Sequence, residues 1–204
     1  MKKKIVFLKH FLRNPESVGA ITALNTNVAN QLTKYLKARP KGESSRILEV
    51  GAGTGSVTRT IFSNLSPRDR LDIVEIDPVC CTFLEKEFCT NSRVQVICDS
   101  IVSWKPPYEY DFIISTLPFN SLNPDFVQEI LLHYQNLSTS TCIFTYVEYI
   151  GLGKLSCFFS KKKKKMLIKR RAQTLKAYRE KHLFDRNAIF ASFPPCHVYH
   201  MKTR

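Results

Sequence analysis

Short apolar runs alternate with segments of helical periodicity from about residue 26 to residue 160. The runs contain β-branched residues, which are typical of buried strands, and the second and third of them end in acidic residues. The pattern predicts strands in the runs Arg46–Val50, Leu71–Asp77 and Val94–Asp99, and a fourth strand from Asp111 that ends in a loop at Pro118. Strands that alternate with helices predict an α/β fold with a mostly parallel sheet, and such sheets bind ligands at the carboxyl ends of their strands.

Three glycines follow the first predicted strand at alternate positions, within the stretch Ile47–Ser56. Glycine lets the chain turn sharply and lets a ligand approach the backbone. A helix predicted from Ser56 to Leu65 would point its N-terminal amides at that ligand. The arrangement indicates a nucleotide-type cofactor, but the spacing G-x-G-x-G departs from the G-x-G-x-x-G of dinucleotide-binding proteins.

The residues around these glycines resemble the first motif of methyltransferases that depend on S-adenosylmethionine (SAM). The match is Glu49-x-Gly51-x-Gly53-x-Gly55. A carboxylate at the end of the second predicted strand suits the two hydroxyls of a ribose, and the resemblance implies that the acid after the third strand contacts the adenine amino group. We therefore expect SAM as the cofactor, bound by Glu49, Gly51, Ala52, Gly53, Gly55, Glu75, Ile76, Asp99, Ser100 and Thr116.

The fourth predicted strand ends in the loop Thr116-Leu117-Pro118-Phe119-Asn120, where we expect the methyl acceptor to lie. The loop resembles the N-x-P-Y/F motif of methyltransferases that act on planar amines, in which an Asn side chain holds the amine and the aromatic ring stacks on the base. A threonine replaces the Asn here and offers one oxygen instead of a rigid amide. The expected catalytic set is Thr116, Leu117, Pro118, Phe119 and Tyr149.

An aliphatic acceptor amine must lose a proton before it can attack, because such amines titrate near pH ~10. The sequence leaves the proton acceptor open among Tyr146, Glu148 and Tyr149, on or after the fifth predicted strand. The backbone carbonyls of Thr116 and Leu117 are candidates for orienting the amine. An aromatic ring of the loop or of the fifth strand is a candidate for stabilising the cationic product.

Two separate blocks carry the net charge of +14. Residues 1–13 hold five Lys or Arg and no acid, residues 161–186 hold twelve against two acids, and residues 14–160 hold 12 bases and 15 acids. The first block predicts a basic amphipathic helix with Phe and Leu on one face, and residues 161–171 form a polybasic patch. Both blocks predict docking on an anionic membrane surface that carries the substrate, with RNA as the runner-up partner.

Length and composition restrict the class of protein further. A length of 204 residues suits one domain, and no run approaches the ~18 apolar residues of a membrane span. The N-terminal apolar run is too short for a secretory signal. The seven cysteines include no C-x-x-C pair and the five histidines show no ligand spacing, so we expect no bound metal and a reducing cytoplasm. We also expect the protein to be a monomer.

Over nearly the whole chain the pattern resembles the bacterial phospholipid N-methyltransferase family, which methylates phosphatidylethanolamine. The resemblance rests on the opening segment Phe11–Ile21, the cofactor motifs, the loop Ser115–Asn120 and the closing segment Phe193–Tyr199. The chain departs from the family pattern at Ala23-Leu24-Asn25 and at Ser192-Phe193. The resemblance implies a Rossmann-like class I methyltransferase fold with a seven-stranded, mostly parallel sheet and an antiparallel last strand.

The resemblance also implies a single methyltransferase domain. Residues 1–25 are expected to cap the cofactor, 26–160 to form the core, 161–186 to be a basic insertion and 187–204 to form a closing β-hairpin. We expect an N-methyltransferase that acts on a phosphatidylethanolamine-like head group, in the cytoplasm and peripheral on the inner face of the membrane. Two alternatives stay open: an rRNA adenine dimethylase, whose usual helical C-terminal domain finds no room here, and a SAM-binding module without activity, for which Thr116 is the argument.

Overall fold

The structure, a computed structural model, describes residues 25–40, 42–150, 162–192 and 194–203, with the side chains of its last helix described from Lys165 onward. The amphipathic helix predicted over residues 1–13 therefore lies outside the described residues. Seven strands are present in this part of the chain: β1 (Arg46–Val50), β2 (Arg70–Glu75), β3 (Val94–Cys98), β4 (Tyr110–Ser115), β5 (Ser138–Tyr149), β6 (Leu183–Ile189) and β7 (Cys196–Lys202).

The strands form one sheet in the order β3-β2-β1-β4-β5-β7-β6. The first five strands run parallel to one another, whereas β7 runs antiparallel to both β5 and β6. The strand order reverses between β1 and β4, and the crevice at the carboxyl ends of two such strands is where open α/β sheets bind ligands. The fold predicted from the sequence, including the antiparallel last strand, is confirmed.

In the described ranges six helices connect and cover the strands: α1 (Thr26–Leu32), α2 (Lys34–Ala38), α3 (Ser56–Phe62), α4 (Pro78–Phe88), α5 (Pro124–Leu137) and α6 (Lys162–His182). Three of them begin at a side-chain cap, since Asn25, Asp77 and Asn123 each accept a backbone N–H of the first turn of α1, α4 and α5. In α4 and α5 a proline follows the cap, where its missing N–H costs nothing.

Alternate residues of the central strands feed two apolar clusters, one on each face of the sheet. In β1, Leu48 and Val50 belong to the cluster that α5 and α6 cover, and Ile47 belongs to the cluster that α1, α3 and α4 cover. This alternation is the period of two that a pleated strand imposes. Because helices cover both faces of the sheet, we expect the ligand-binding site at the carboxyl edge of the sheet.

Two element boundaries differ from the sequence-based expectation. Helix α3 ends at Phe62 and not at Leu65, because the Ser63 hydroxyl and the Asn64 amide both bond to the Thr60 carbonyl. Strand β6 begins at Leu183, directly after α6, so the hairpin starts before residue 187. No described helix is both long enough and apolar enough to cross a membrane.

Candidate active site

The glycine loop between β1 and α3 holds left-handed backbone geometry. Gly51, Gly53 and Gly55 have φ values of +79°, +56° and +83°, which L side chains rarely adopt. A side chain at Gly51 would lie 3.0 Å from a methyl group of Leu117, and one at Gly55 would lie 3.2 Å from the ring of Phe88. Among the described residues nothing lies within 4 Å of the same position at Gly53, so on this side a ligand could approach the Gly53 backbone.

Glu75, the last residue of β2, is joined to this loop by hydrogen bonds. Its Oε2 accepts the Gly53 N–H at 2.8 Å, and its Oε1 accepts the N–H groups of Ile76 and Asp77 at 2.6 and 2.9 Å. Each carboxylate oxygen can accept about two hydrogen bonds, so Oε2 keeps one acceptor position for a ligand. The buried carboxylate thus fits a ribose hydroxyl at the edge of the glycine loop.

Glu49 lies in the neighbouring strand β1 and is fully buried. Neither of its carboxyl oxygens has a hydrogen-bond partner in the described part of the chain, and the nearby Thr58 hydroxyl lacks one as well. Burial raises the pKa of Glu49 to about 8, the Thr58 hydroxyl opposes this rise, and the charge of Glu75 adds to it. A buried carboxyl without partners is costly, and the amino group of a bound SAM would offset that cost.

The residues after β3 supply two further expected cofactor residues, Asp99 and Ser100. Asp99 is exposed, and its Oδ1 accepts the Ser100 N–H at 2.6 Å. The Ser100 hydroxyl is buried and has no hydrogen-bond partner among described residues. Ile76 and Ile101 are buried in one apolar cluster, and Ala52 is buried in the glycine loop. A carboxylate next to buried isoleucines fits adenine, which has apolar ring faces and an amino group that donates.

Thr116 ties the acceptor loop to the glycine loop. Its N–H donates to the Val50 carbonyl at 3.0 Å, and its hydroxyl donates to the Gly51 carbonyl. The hydroxyl proton is therefore committed to the backbone of the glycine loop. In the position where the related motif carries an amide fork, this chain has a side chain that holds two loops together.

The rest of the acceptor loop turns inward. Leu117 is buried and its carbonyl accepts the Phe119 N–H at 2.8 Å, and Pro118 is half-buried. The Phe119 ring is 1% exposed and packs edge-to-face against Tyr146 and Phe144, with centroids 5.3 and 6.5 Å apart. The ring predicted to stack on the acceptor is therefore part of the apolar core in this structure.

An ion pair between Arg179 of α6 and Glu148 of β5 involves two of the candidate proton acceptors, Glu148 itself and the neighbouring Tyr146. The Arg179 guanidinium donates to Glu148 Oε2 at 2.6 Å and to the Tyr146 hydroxyl at 2.9 Å, and it lies 4.8 Å from the ring centroid of Tyr199. Burial and the charge of Glu148 raise the pKa of Tyr146. Tyr146 is therefore a protonated phenol at neutral pH and cannot accept a proton there.

Tyr149, the last residue of β5, is half-buried. Its carbonyl accepts a hydrogen bond from the Asn120 amide at 3.2 Å, which joins the acceptor loop to the end of β5. Burial raises the pKa of its phenol as well. The structure thus brings Tyr149 to the acceptor loop through its backbone.

Sequence reasoning missed the contribution of α6 to this site. Arg171 is buried and donates at 3.0 Å to the carbonyl of Leu122, which lies two residues after the acceptor loop Thr116–Asn120. Arg171, Leu175 and Tyr178 all face the core, and their spacing of four and three residues is that of a helix face. That spacing was the available signal, but the surrounding run of lysines obscured it. No group of three or more His, Cys, Asp or Glu in the described ranges could hold a metal ion.

The fold, the glycine loop and the strand-end carboxylates define a class I SAM-dependent methyltransferase. Residues 1–146 match the family model of ribosomal RNA adenine dimethylases. The chain belongs to that family. One solved structure of similar fold is the N-methyltransferase NodS from Bradyrhizobium japonicum in complex with S-adenosyl-L-homocysteine, with a TM-score of 0.64, 12% identity and coverage of 86% of this chain and 85% of NodS.

Relatives of known name differ in their acceptors. The ornithine lipid N-methyltransferase of Singulisphaera acidiphila is 23% identical over 64% of this chain and 67% of its own length. The malonyl-[acyl-carrier protein] O-methyltransferase of Priestia megaterium is 27% identical over 60% of this chain. The probable ribosomal RNA small subunit methyltransferase A of Methanosarcina barkeri is 27% identical over 52% of it. The matches span only 44% and 35% of the latter two proteins. The comparisons establish a SAM-dependent methyltransferase and leave its acceptor open.

Proposed function

We propose that this methyltransferase transfers methyl groups to the aliphatic amine of a phosphatidylethanolamine-like head group at an anionic membrane surface. The geometry of the acceptor loop supports the proposal, because the two side chains of the loop that could bind a nucleobase are both engaged elsewhere. The Thr116 hydroxyl is committed to the Gly51 carbonyl, and the Phe119 ring is buried against Tyr146. A small amine needs no stacking partner and only local acceptors to orient it.

The cofactor half of the proposed site consists of the glycine loop with Glu49, Glu75, Asp99 and their neighbours. SAM, when bound, supplies a methyl group that is already activated on a sulfonium sulfur, so the protein contributes alignment and exclusion of water. Glu75 and Glu49 would hold the ribose and the amino group through the unfilled acceptor positions of their carboxyls. Thr116 sets the distance between the acceptor loop and the glycine loop.

The proton of the acceptor amine must leave before the methyl is transferred. Burial raises the pKa of both Tyr146 and Tyr149, so neither phenol is a base at neutral pH. Glu148 is the remaining candidate, and its carboxylate is held by Arg179 at 2.6 Å near the end of β5. We propose Glu148 as the proton acceptor.

The exposed face at the start of α6 supports a membrane partner. Lys165 and Lys169 are exposed, and Met166 between them is 66% exposed. Lysines beside an exposed apolar side chain suit the interface of an anionic bilayer, where each basic residue contributes about 1 kcal/mol. The ornithine lipid N-methyltransferase relative supports a lipid acceptor by analogy, and we place the protein on the inner face of the membrane.

A second candidate function is N6-methylation of adenine in ribosomal RNA, which the family match over residues 1–146 favours. The same basic face would then contact phosphates. The loop geometry argues against this candidate, because a flipped adenine is normally held by hydrogen bonds and by stacking.

Methyl transfer from labelled SAM distinguishes these functions. The full chain is incubated with anionic liposomes that contain phosphatidylethanolamine, with matched liposomes that contain phosphatidylcholine, whose amine is already fully methylated, and with ribosomal RNA. We expect label only in the phosphatidylethanolamine liposomes. Label in RNA but not in lipid would overturn the proposal in favour of the second candidate. SAM binding with no label in any sample would indicate an inactive SAM-binding module.

A further inference from the structure

Arg171 is a buried cation next to the acceptor loop. Its side chain is 9% exposed, and the hydrogen bond that it makes within the described residues goes from Nη1 to the Leu122 carbonyl at 3.0 Å. A carbonyl satisfies one of the five N–H donors of a guanidinium and neutralises none of its charge. A guanidinium in such a place is costly unless an anion accompanies it.

The charges around Arg171 do not balance it. Among the described residues, Glu148 is the acid that interacts with Arg171 electrostatically, but its carboxylate is bonded to Arg179. Burial outweighs this attraction and lowers the pKa of Arg171. The neighbouring Arg170 is exposed and paired with Asp125 at 2.8 Å. Among described residues, two buried or half-buried arginines therefore share one carboxylate, which leaves a local excess of one positive charge.

The excess charge lies beside the loop that is expected to receive the acceptor. Leu122 lies two residues after that loop. Three hydrogen bonds fix the segment 116–122: Thr116 to the glycine loop, Asn120 to the Tyr149 carbonyl, and Arg171 to the Leu122 carbonyl. An anionic group attached to the acceptor a few bonds from its amine would come within reach of this guanidinium.

We infer that Arg171 forms a subsite for the phosphate of the acceptor, with Arg179 and Glu148 setting its net charge. The inference rests on the proposed function, because it assigns the phosphodiester of a phosphoethanolamine head group to this site. An arginine fork suits a phosphate, which it can bind through two parallel hydrogen bonds. The subsite explains why the helix keeps a buried arginine where an apolar residue would otherwise complete the face.

Binding of small probes tests the subsite independently of methyl transfer. The full chain, saturated with S-adenosyl-L-homocysteine, is titrated calorimetrically with O-phosphoethanolamine and with ethanolamine. We expect the wild-type protein to bind O-phosphoethanolamine about tenfold or more tightly than ethanolamine, and Arg171→Gln to lose that difference. Arg170→Gln removes the same charge from the adjacent exposed position, and we expect it to retain the difference.

Equal binding of the two probes by the wild-type protein, or an unchanged preference in Arg171→Gln, would overturn the inference. Arg171→Lys keeps the charge, and we expect it to retain part of the preference, which separates loss of the subsite from a failure to fold. Adenosine 5′-monophosphate is a third probe, and dependence on Arg171 for this probe alone would assign the site to RNA and also overturn the inference. If the preference is present but phosphatidylethanolamine receives no label, the subsite stands and the proposed function fails.

Discussion

Glu49 is the residue whose ionisation should be visible in the stability of the protein. Its pKa is raised to about 8 mainly by burial, so the folded protein holds a proton that the unfolded chain loses near pH ~4.5. Between these two values the folded state binds more protons than the unfolded state. Its stability therefore falls as the pH rises through that window.

We expect Glu49→Gln to remove this pH dependence. In the wild-type protein without cofactor, the free energy of unfolding should decline by up to about 1.4 kcal/mol per pH unit between pH ~5 and pH ~8, and the decline should be much smaller in the variant. Urea denaturation at several pH values measures both. Parallel pH profiles for the two proteins would show that Glu49 is not the titrating group.

We expect the hydroxyl group of Thr116 to contribute more to stability and to cofactor binding than the shape of its side chain does. Thr116→Val leaves the Gly51 carbonyl without its donor, which we expect to lower the free energy of unfolding by about 1 kcal/mol and to weaken binding of S-adenosyl-L-homocysteine severalfold. Thr116→Ser keeps the hydroxyl and serves as the control. Denaturation and calorimetry are the measurements, and equal behaviour of the two variants would contradict this role of the bond.

At the scale of elements, the glycine loop offers two matched substitutions. A methyl group at Gly55 would press on Phe88 and Leu84 at 3.2 and 3.3 Å, whereas at Gly53 it meets open space. Both residues have positive φ, so each substitution carries a similar backbone cost of about 1–2 kcal/mol. Only the surroundings of the added methyl group differ.

We therefore expect Gly55→Ala to lose more stability than Gly53→Ala, and Gly53→Ala to lose more cofactor affinity relative to its loss of stability. Thermal unfolding without ligand and titration with S-adenosyl-L-homocysteine separate the two effects. If Gly53→Ala bound the cofactor as tightly as the wild-type protein, the cofactor would not approach this face of the loop.

The helix α6 has two faces with different surroundings. Its core-facing side carries Arg171 and Leu175, and its exposed side carries Lys165 and Lys169. The sequence predicted the charge of this segment, but a run of basic residues has the same composition whether its members are buried or exposed. Packing against α5 and the acceptor loop selected Arg171 for burial, because the helix presents only one face to the sheet.

At the scale of the whole molecule, the proposed membrane partner makes binding depend on where the positive charge lies. We expect Lys165→Glu with Lys169→Glu to reduce co-sedimentation with anionic liposomes at least tenfold, since each charge near the surface contributes about 1 kcal/mol. Lys176→Glu with Lys181→Glu makes the same change of net charge at the far end of α6, and we expect a smaller loss. Equal losses in the two double variants would indicate attraction by overall charge alone.

The sequence by itself determined the strand and helix pattern, the fold class and the cofactor. The fold class depends on local periodicity, and the cofactor prediction depends on three glycines at alternate positions of one turn. Both signals can therefore be read from the sequence. The sequence also predicts that the acceptor lies at the loop Thr116–Asn120, because this loop directly follows a strand in sequence. The solved structure of similar fold and the family match agree with the fold class and the cofactor.

Only the tertiary structure decided which side chains of the acceptor half face the site. Phe119 was expected to meet the acceptor, but its ring is buried and packs against the β5 side chains Phe144 and Tyr146. Arg171 was one of many bases in the sequence, and the loop contact at Leu122 sets it apart. Burial and charge balance depend on residues about 50 positions apart, and the packing that brings them together is not written in any local pattern.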